Sequence, residues 1–245
     1  MKRTERHRLK ENEVAISVAR AKETFEVYRK PIVTALIAAG AMIVILAALV
    51  IWRQQVDAKS RTMLAEAMAL EQAPVTPAPT PGQSTPPPGQ PGAYPNEKAK
   101  LEAGLQKYLA AADAYPSTDA GIAARYQAAG KLALLGRNTD ALKRYQEVLD
   151  RAGSGSLYGE MARLGMADVE ATMGQFDKAI GRYNELVASK DAKLPIEGVL
   201  MQLGRAYQEK GSAADAKKTY KRIVDEFPQS PYASLAKREM DGIKG

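Results

Sequence analysis

The stretch LGRAYQEKGSAADAKKTYKRIVDEFP, running from Leu203 to Pro228, decides how the rest of the chain is read. Gly204, Tyr207, Gly211, Ala216, Tyr220 and Pro228 follow one another in it at steps of three, four, five, four and eight, with Leu203 just before. Moving back 37 positions from Gly211, Ala216 and Tyr220 reaches Gly174, Ala179 and Tyr183. A further 38 reaches Gly136, Ala141 and Tyr145. Self-similarity at a period of roughly 34 to 38 positions is the mark of a helical repeat array.

Each recurring residue type has a physical reason. Gly211 closes one helix, where a residue without a Cβ takes the left-handed conformation cheaply. Ser212 follows as the expected N-cap, and Ser212-x-x-Asp215 has the spacing of a capping box. Ala216 is small where two antiparallel helices cross, and Gly204 lets the preceding helix approach equally near. Tyr207 and Tyr220 are expected to fill the space between neighbouring hairpins. Pro228 ends the second helix and turns the chain.

The pattern resembles the tetratricopeptide repeat, and the third copy carries the motif best. The second copy has Met166-Ala167 in place of Leu-Gly, and the first has Ala128-Ala129. The resemblance implies an all-α fold: an α-solenoid of about three helix pairs with capping helices at its ends. The expected pairs are 118–135 with 138–151, 156–173 with 176–189, and 195–210 with 213–226. A last helix near 231–242 is expected to cover the third pair. Residues 96–113 read as the second half of a degenerate repeat. Their end, Ala114-Tyr115-Pro116-Ser117-Thr118, matches Glu226-Phe227-Pro228-Gln229-Ser230, three periods further along the chain.

Ahead of the array the chain changes character three times. Residues 1–30 hold nine Lys/Arg against five acids, with Val14, Val18, Ala21, Phe25 and Tyr28 recurring at helical spacing. This tail reads either as an amphipathic helix on anionic lipid or a partner, or as a charged leader that only sets orientation. From Pro31 to Trp52 the chain runs without a charge. At helical rise that segment reaches roughly 33 Å, enough to cross a hydrocarbon core of about 30 Å. Arg53-Gln54-Gln55 follows where a signal peptide would carry small residues for cleavage, so the segment reads as an uncleaved signal anchor. Nine Lys/Arg precede the span and three follow it closely, which places the N-terminus inside and the C-terminal domain outside.

Residues 53–73 are expected to form a helical stalk. Val56, Met63 and Leu70 lie seven apart with Ser60 and Ala67 between them, a short seam that suggests weak homo-oligomer formation through 53–72. Residues 74–95 include nine prolines and read as a flexible, extended linker. At about 3.1 Å per residue such a spacer would reach roughly 70 Å. A Pro-x-x-Pro ligand is the alternative use. The repeat domain occupies 96–245.

Composition narrows the chemistry. The chain has no cysteine, so disulfides and thiolate metal sites are excluded. Its one histidine, His7, lies in the basic tail and cannot build a triad or a two-histidine zinc site. No phosphate-binding loop or dinucleotide fingerprint occurs. Asp168 and Glu170 are two apart on one helix and face different ways, which makes a poor acid/base pair. No enzyme, cofactor or metal is expected. Of the net charge of +7, residues 1–30 carry +4 and 96–245 only +3, without the basic, aromatic face that nucleic acid requires.

In tetratricopeptide arrays the first helix of each pair lines the concave groove. Carried onto this chain, the resemblance implies groove positions at Tyr126, Gly130, Ala133 and Leu134, then Met161, Leu164 and Asp168. The third pair would give Met201, Arg205, Gln208 and Glu209. Tyr, Leu and Met there would suit apolar or amphipathic peptides. Only Arg205 fits a basic clamp for a C-terminal carboxylate. Over nearly its whole length the chain resembles a bacterial family of inner-membrane tetratricopeptide proteins. The cues are the basic tail with Leu9-Lys10-Glu11-Asn12-Glu13, the single span, and Ala65-Glu66-Ala67 beyond it. Relatives of that kind include an ancillary Sec translocon subunit and a periplasmic cell-division coordinator. The resemblance therefore implies a membrane-anchored scaffold that contacts secreted or envelope proteins, or else a structural tether in an envelope complex.

Overall fold

The computed structural model describes residues 3–75 and 93–243. Among them the regular structure is helical, in nine helices, with a single isolated bridge between Val75 and Tyr94. The chain divides into two compact units, Met1–Gln55 and Val56–Gly245. Helix α1 (Arg3–Glu71) contributes to both, and Pro31 lies inside it rather than at its start.

In the first unit, every side chain from Val33 to Trp52 is exposed. Leu36, Ile37, Val44 and Trp52 are all more than half exposed, so the helix is apolar on every side and nothing in the unit covers it. Among the described residues, one helical stretch, Val33–Glu71, is long and apolar enough to cross a membrane. The side chains of Val14, Ala21, Phe25, Tyr28 and His7 lie outside what the structure describes, as does the linker at 76–92.

The second unit is a series of helical hairpins. Helix α2 (Glu97–Ala114) is followed by α3 (Asp119–Leu134) and α4 (Asn138–Ala152), then α5 (Leu157–Thr172) and α6 (Phe176–Val187). The third pair is α7 (Ile196–Lys210) with α8 (Ala213–Glu226), and α9 (Ala233–Gly242) closes the array. Consecutive helices pack on each other from α2 to α9, and the first helices of neighbouring pairs touch, α3 with α5 and α5 with α7.

The three hairpin turns are built alike. Gly136, Gly174 and Gly211 have φ of 74°, 73° and 87°. Next to each, a backbone bond reaches back to close the helix: Arg137 to Leu132, Gln175 to Glu170 and Ser212 to Tyr207, at 2.9, 2.8 and 2.8 Å. That is a left-handed C-terminal closure, repeated three times. The turn is so tight that the following residue is not extended: Ser212 has ψ of 67° and its side chain makes no capping bond. The capping box expected at Ser212 is therefore absent. Side-chain caps sit instead at the looser junctions between pairs, where Thr118 accepts from Gly121 N at 3.0 Å and Ser156 from Gly159 N at 2.9 Å. The aromatic-Pro stops match in backbone as well as in sequence, with φ/ψ of −132°/60° at Tyr115 and −131°/54° at Phe227.

The stalk and spacer expectations need correction. Ser60 and Ala67 are 2% and 0% exposed. Ala67 belongs to the core that holds Leu105, Tyr108 and Ala112, with Met63 and Leu64 packed against it. Glu71 accepts from Tyr108 Oη at 2.7 Å and pairs with Lys131 Nζ at 2.8 Å. The seam at 56–70 thus has its partner in its own chain, and its small residues are not open to a second copy. Tyr94 N donates to Pro74 O at 3.0 Å, so the ends of the 74–95 segment meet. The segment begins and ends at one place, between two packed helices, and does not hold the array away from the stalk. Residues 56–71 are the missing first half of the degenerate repeat whose second half is α2.

Candidate protein-binding groove

Small residues set how closely the hairpins stack. A Cβ on Gly204 would lie 2.4 Å from the Tyr220 ring, and one on Gly165 would lie 2.4 Å from the Tyr145 ring. Each glycine therefore marks a helix seated directly on a tyrosine. Tyr220 packs within its own hairpin, not between hairpins as expected, and its hydroxyl donates to Gln208 Oε1 at 3.1 Å. Tyr145 reaches from α4 to α5. Tyr126 stacks beside it at 5.6 Å between ring centres, and Tyr158 lies 6.2 Å from Tyr126, both pairs tilted by 57°.

These contacts leave a cleft of about 440 Å³ between α5 and α7, floored by α6. Asp168 and Thr172 come from α5, Tyr183 from α6, and Gln202, Arg205 and Glu209 from α7, with Ala171 and Ala206 between them. Tyr183 Oη donates to Asp168 Oδ1 at 2.6 Å. Burial raises the Asp168 carboxyl above the usual carboxylate range, and the Tyr183 hydrogen bond only partly offsets this. The Tyr183 hydroxyl is pushed far up, first by burial and then by the Asp168 charge. Tyr126 and Tyr145 are raised for the same two kinds of reason, burial leading and Asp168 contributing. Tyr220 is pushed up to about 12, mainly by burial.

The positions named from the sequence divide on this geometry. Asp168, Arg205 and Glu209 line the cleft. Tyr126 is half-buried in the tyrosine cluster, while Gly130, Ala133, Met161 and Leu164 are also half-buried. Leu134 is 70% exposed at the end of α3 and stands apart from the cleft. Met201 is 2% exposed, inside the core with Leu200 and Ile223, so it is not a groove residue. Gln208 is engaged by Tyr220. On α7 the lining positions are 202, 205, 206 and 209, one step onward from 201 and 208. One step along a helix turns the side chain by about 100°, which is why Met201 enters the core while Gln202 faces the cleft. The groove is consequently polar, with only Ala171 and Ala206 as small apolar positions in its walls, not the Tyr/Leu/Met surface expected.

Two buried charges, Arg125 and Glu160, and the partner of a third, Glu170, lie outside every motif in the sequence. Arg125, 2% exposed, donates to Ala112 O at 3.0 Å and Asp113 Oδ1 at 3.2 Å and lies 3.2 Å from Glu147. Glu170 accepts from Arg182 at 2.8 Å. Glu160 takes the backbone N–H of Lys193 at 2.7 Å and of Leu194 at 3.2 Å, anchoring the loop before α7. No sequence motif announces these pairings, which join positions 12 to 34 apart.

Paired antiparallel helices in series, with a glycine turn inside each pair and a lined cleft between first helices, define a helical-repeat solenoid. Residues 199–230 match the family model described as Tetratricopeptide repeat. The fold is similar to the crystal structure of nearly identical TPR-like repeats in a Podosopora anserina protein described as a kinesin light chain. The TM-score is 0.51 at 14% identity, covering 59% of this chain and 77% of that one. A point variant of the same protein gives 0.51 at 13% over the same shares. A tetratricopeptide repeat protein from Parabacteroides merdae aligns at 19% identity with a TM-score of 0.47, over 59% of this chain and 54% of that one. No curated protein matches the chain. The chain has the tetratricopeptide-repeat fold, and its last full hairpin carries the repeat's motif; at these identities the likeness concerns architecture.

Proposed function

We propose that this protein is a membrane-anchored scaffold whose repeat array binds other proteins through the cleft between α5 and α7. The observation that carries the reading is the cleft itself: an open cavity with hydrogen-bonding side chains and a small alanine on each wall, and Tyr183 at its floor. Tetratricopeptide repeats generally serve protein–protein contact, and nothing in the sequence assembles catalytic chemistry. Anchoring rests on the uncharged run from Pro31 to Trp52 and on its exposure on all sides. The excess of Lys/Arg before the span favours a cytoplasmic N-terminus and an array on the outer, periplasmic face of a bacterial inner membrane. In that position the array would meet secreted or envelope proteins, near the Sec translocon as the family resemblance implies. A pure spacer or tether role is the weaker reading, because the ends of the 74–95 segment are hydrogen-bonded together. Affinity purification from detergent-solubilised membranes tests the proposal. Partners that co-purify with the wild-type chain and are lost from Thr172→Trp, which fills the cleft, support it; an unchanged partner set counts against it.

A further inference from the structure

The cleft between α5 and α7 has an unbalanced polarity. Asp168 is lodged in its wall with one carboxylate oxygen taken by Tyr183. Neither Asp168 nor Glu209 has a cation within 4.0 Å among the described residues, whereas the comparable buried Glu170 has Arg182 at 2.8 Å. Arg205, one turn from Glu209 on α7, hydrogen-bonds Gln202 at 3.3 Å instead. Glu209 adds negative potential at the Tyr183 hydroxyl; at the Tyr220 hydroxyl Glu239 of α9 leads, and Arg205 opposes it and Glu209. A carboxylate taken partly out of water and left without a counter-charge is costly, and the cavity in front of it is open.

We infer that the cleft selects a partner segment by a basic side chain, a Lys or Arg that enters between Asp168 and Glu209. This rests on the protein-binding reading above and gives that partner its chemistry. The charge complementarity is specific in position. Asp168 is held by Tyr183 in a fixed orientation from α5, and Glu209 comes from the facing helix. Thr172 and Gln202 supply hydrogen bonds to the segment's backbone, while Ala171 and Ala206 leave room for its chain. Arg205 stands at the same cleft as a repulsive element toward the incoming cation. Binding of an acidic C-terminus would need the opposite balance, with several bases and few acids.

The test is selection of phage-displayed random dodecapeptides on the full-length chain in nanodiscs, with Thr172→Trp as the blocked groove. Circular dichroism of each variant checks folding, and Glu209→Gln, on an exposed side chain, keeps the test valid if Asp168→Asn were to misfold. The expected result is a selected pool enriched in Lys and Arg, at least tenfold weaker binding of those peptides to Asp168→Asn and Glu209→Gln, and unchanged or tighter binding to Arg205→Ala. Peptides that need the open groove but show no basic preference would overturn the inference while leaving the protein-binding reading intact. Peptides indifferent to Thr172→Trp, or no selected peptides, would overturn both. Loss of binding in Arg205→Ala with Glu209→Gln unaffected would assign the cleft to an acidic partner and also overturn the inference.

Discussion

Tyr108 donates its hydroxyl to Glu71 at 2.7 Å and so ties the end of α1 to α2 across 37 positions of sequence. Tyr108 is completely buried, and Lys131 of α3 closes on the same carboxylate at 2.8 Å. The helix that leaves the apolar segment is therefore, from Val56 onward, part of the repeat array.

Glu71→Ala should loosen that first hairpin. Removing the acceptor leaves a buried hydroxyl unsatisfied, at a cost of about 1–2 kcal/mol. Hydrogen exchange is expected to accelerate across residues 60–71 and α2 while α7 and α8 stay protected. The Glu71 carboxyl is held below its ordinary value, chiefly by the hydrogen bond from Lys131 and against a desolvation that raises it. Its contribution is thus present above the unfolded carboxylate pKa and is lost as pH falls through the lower folded value. Protection of 60–71 should drop on acidification in the wild type and change less in Glu71→Ala.

Glycine substitutions should separate close approach from backbone strain. Gly204→Ala places a methyl 2.4 Å from the buried Tyr220 ring and is expected to cost about 2–3 kcal/mol. Gly136 has open space but φ of 74°, so Gly136→Ala should cost about 1 kcal/mol. Gly181 lies within α6 with nothing within 4 Å, and Gly181→Ala should stabilise by about 0.5–1 kcal/mol. Urea unfolding of the three variants checks the order.

The turns and helix pairs were legible because each depends on local chemistry: Gly211 must be left-handed, Pro228 must stop a helix, and the period repeats both. The seam at Val56, Ser60, Met63, Ala67 and Leu70 was legible as a seam but not as to its partner. Periodicity shows that a helix face is to be covered and is silent on what covers it. The proline insert then separated the two halves of that hairpin beyond any local signal. The groove failed by one residue at Met201, since a motif fixes where a helix lies but a single step in register turns core into cleft.

Asp168→Asn should raise the melting temperature of the unliganded chain at neutral pH. Burial raises the Asp168 carboxyl in the folded state, so the stability it contributes is fully present below the unfolded pKa and lost as pH rises through the folded one. Asn keeps an acceptor for Tyr183 without the charge. The advantage of Asn should shrink as pH falls into the carboxylate range, as thermal melts from acidic to neutral pH will read.

Glu160→Ala should free the loop before α7. Glu160 is 3% exposed and accepts two backbone N–H groups, from Lys193 and Leu194. Leaving both unpaired should cost about 2–3 kcal/mol, seen as earlier proteolysis between Ala188 and Pro195. Glu160→Gln, which retains one acceptor oxygen, should fall between the two.

Site-specific photocrosslinking in intact membranes reaches the main claim without knowing the partner. A photoreactive residue at Thr172, in the cleft wall, should yield discrete protein adducts that the same residue at Lys218, on the second helix of the last pair, does not. Equal labelling from both positions, or adducts from Lys218 alone, would contradict the assignment of the α5–α7 cleft as the protein-binding surface.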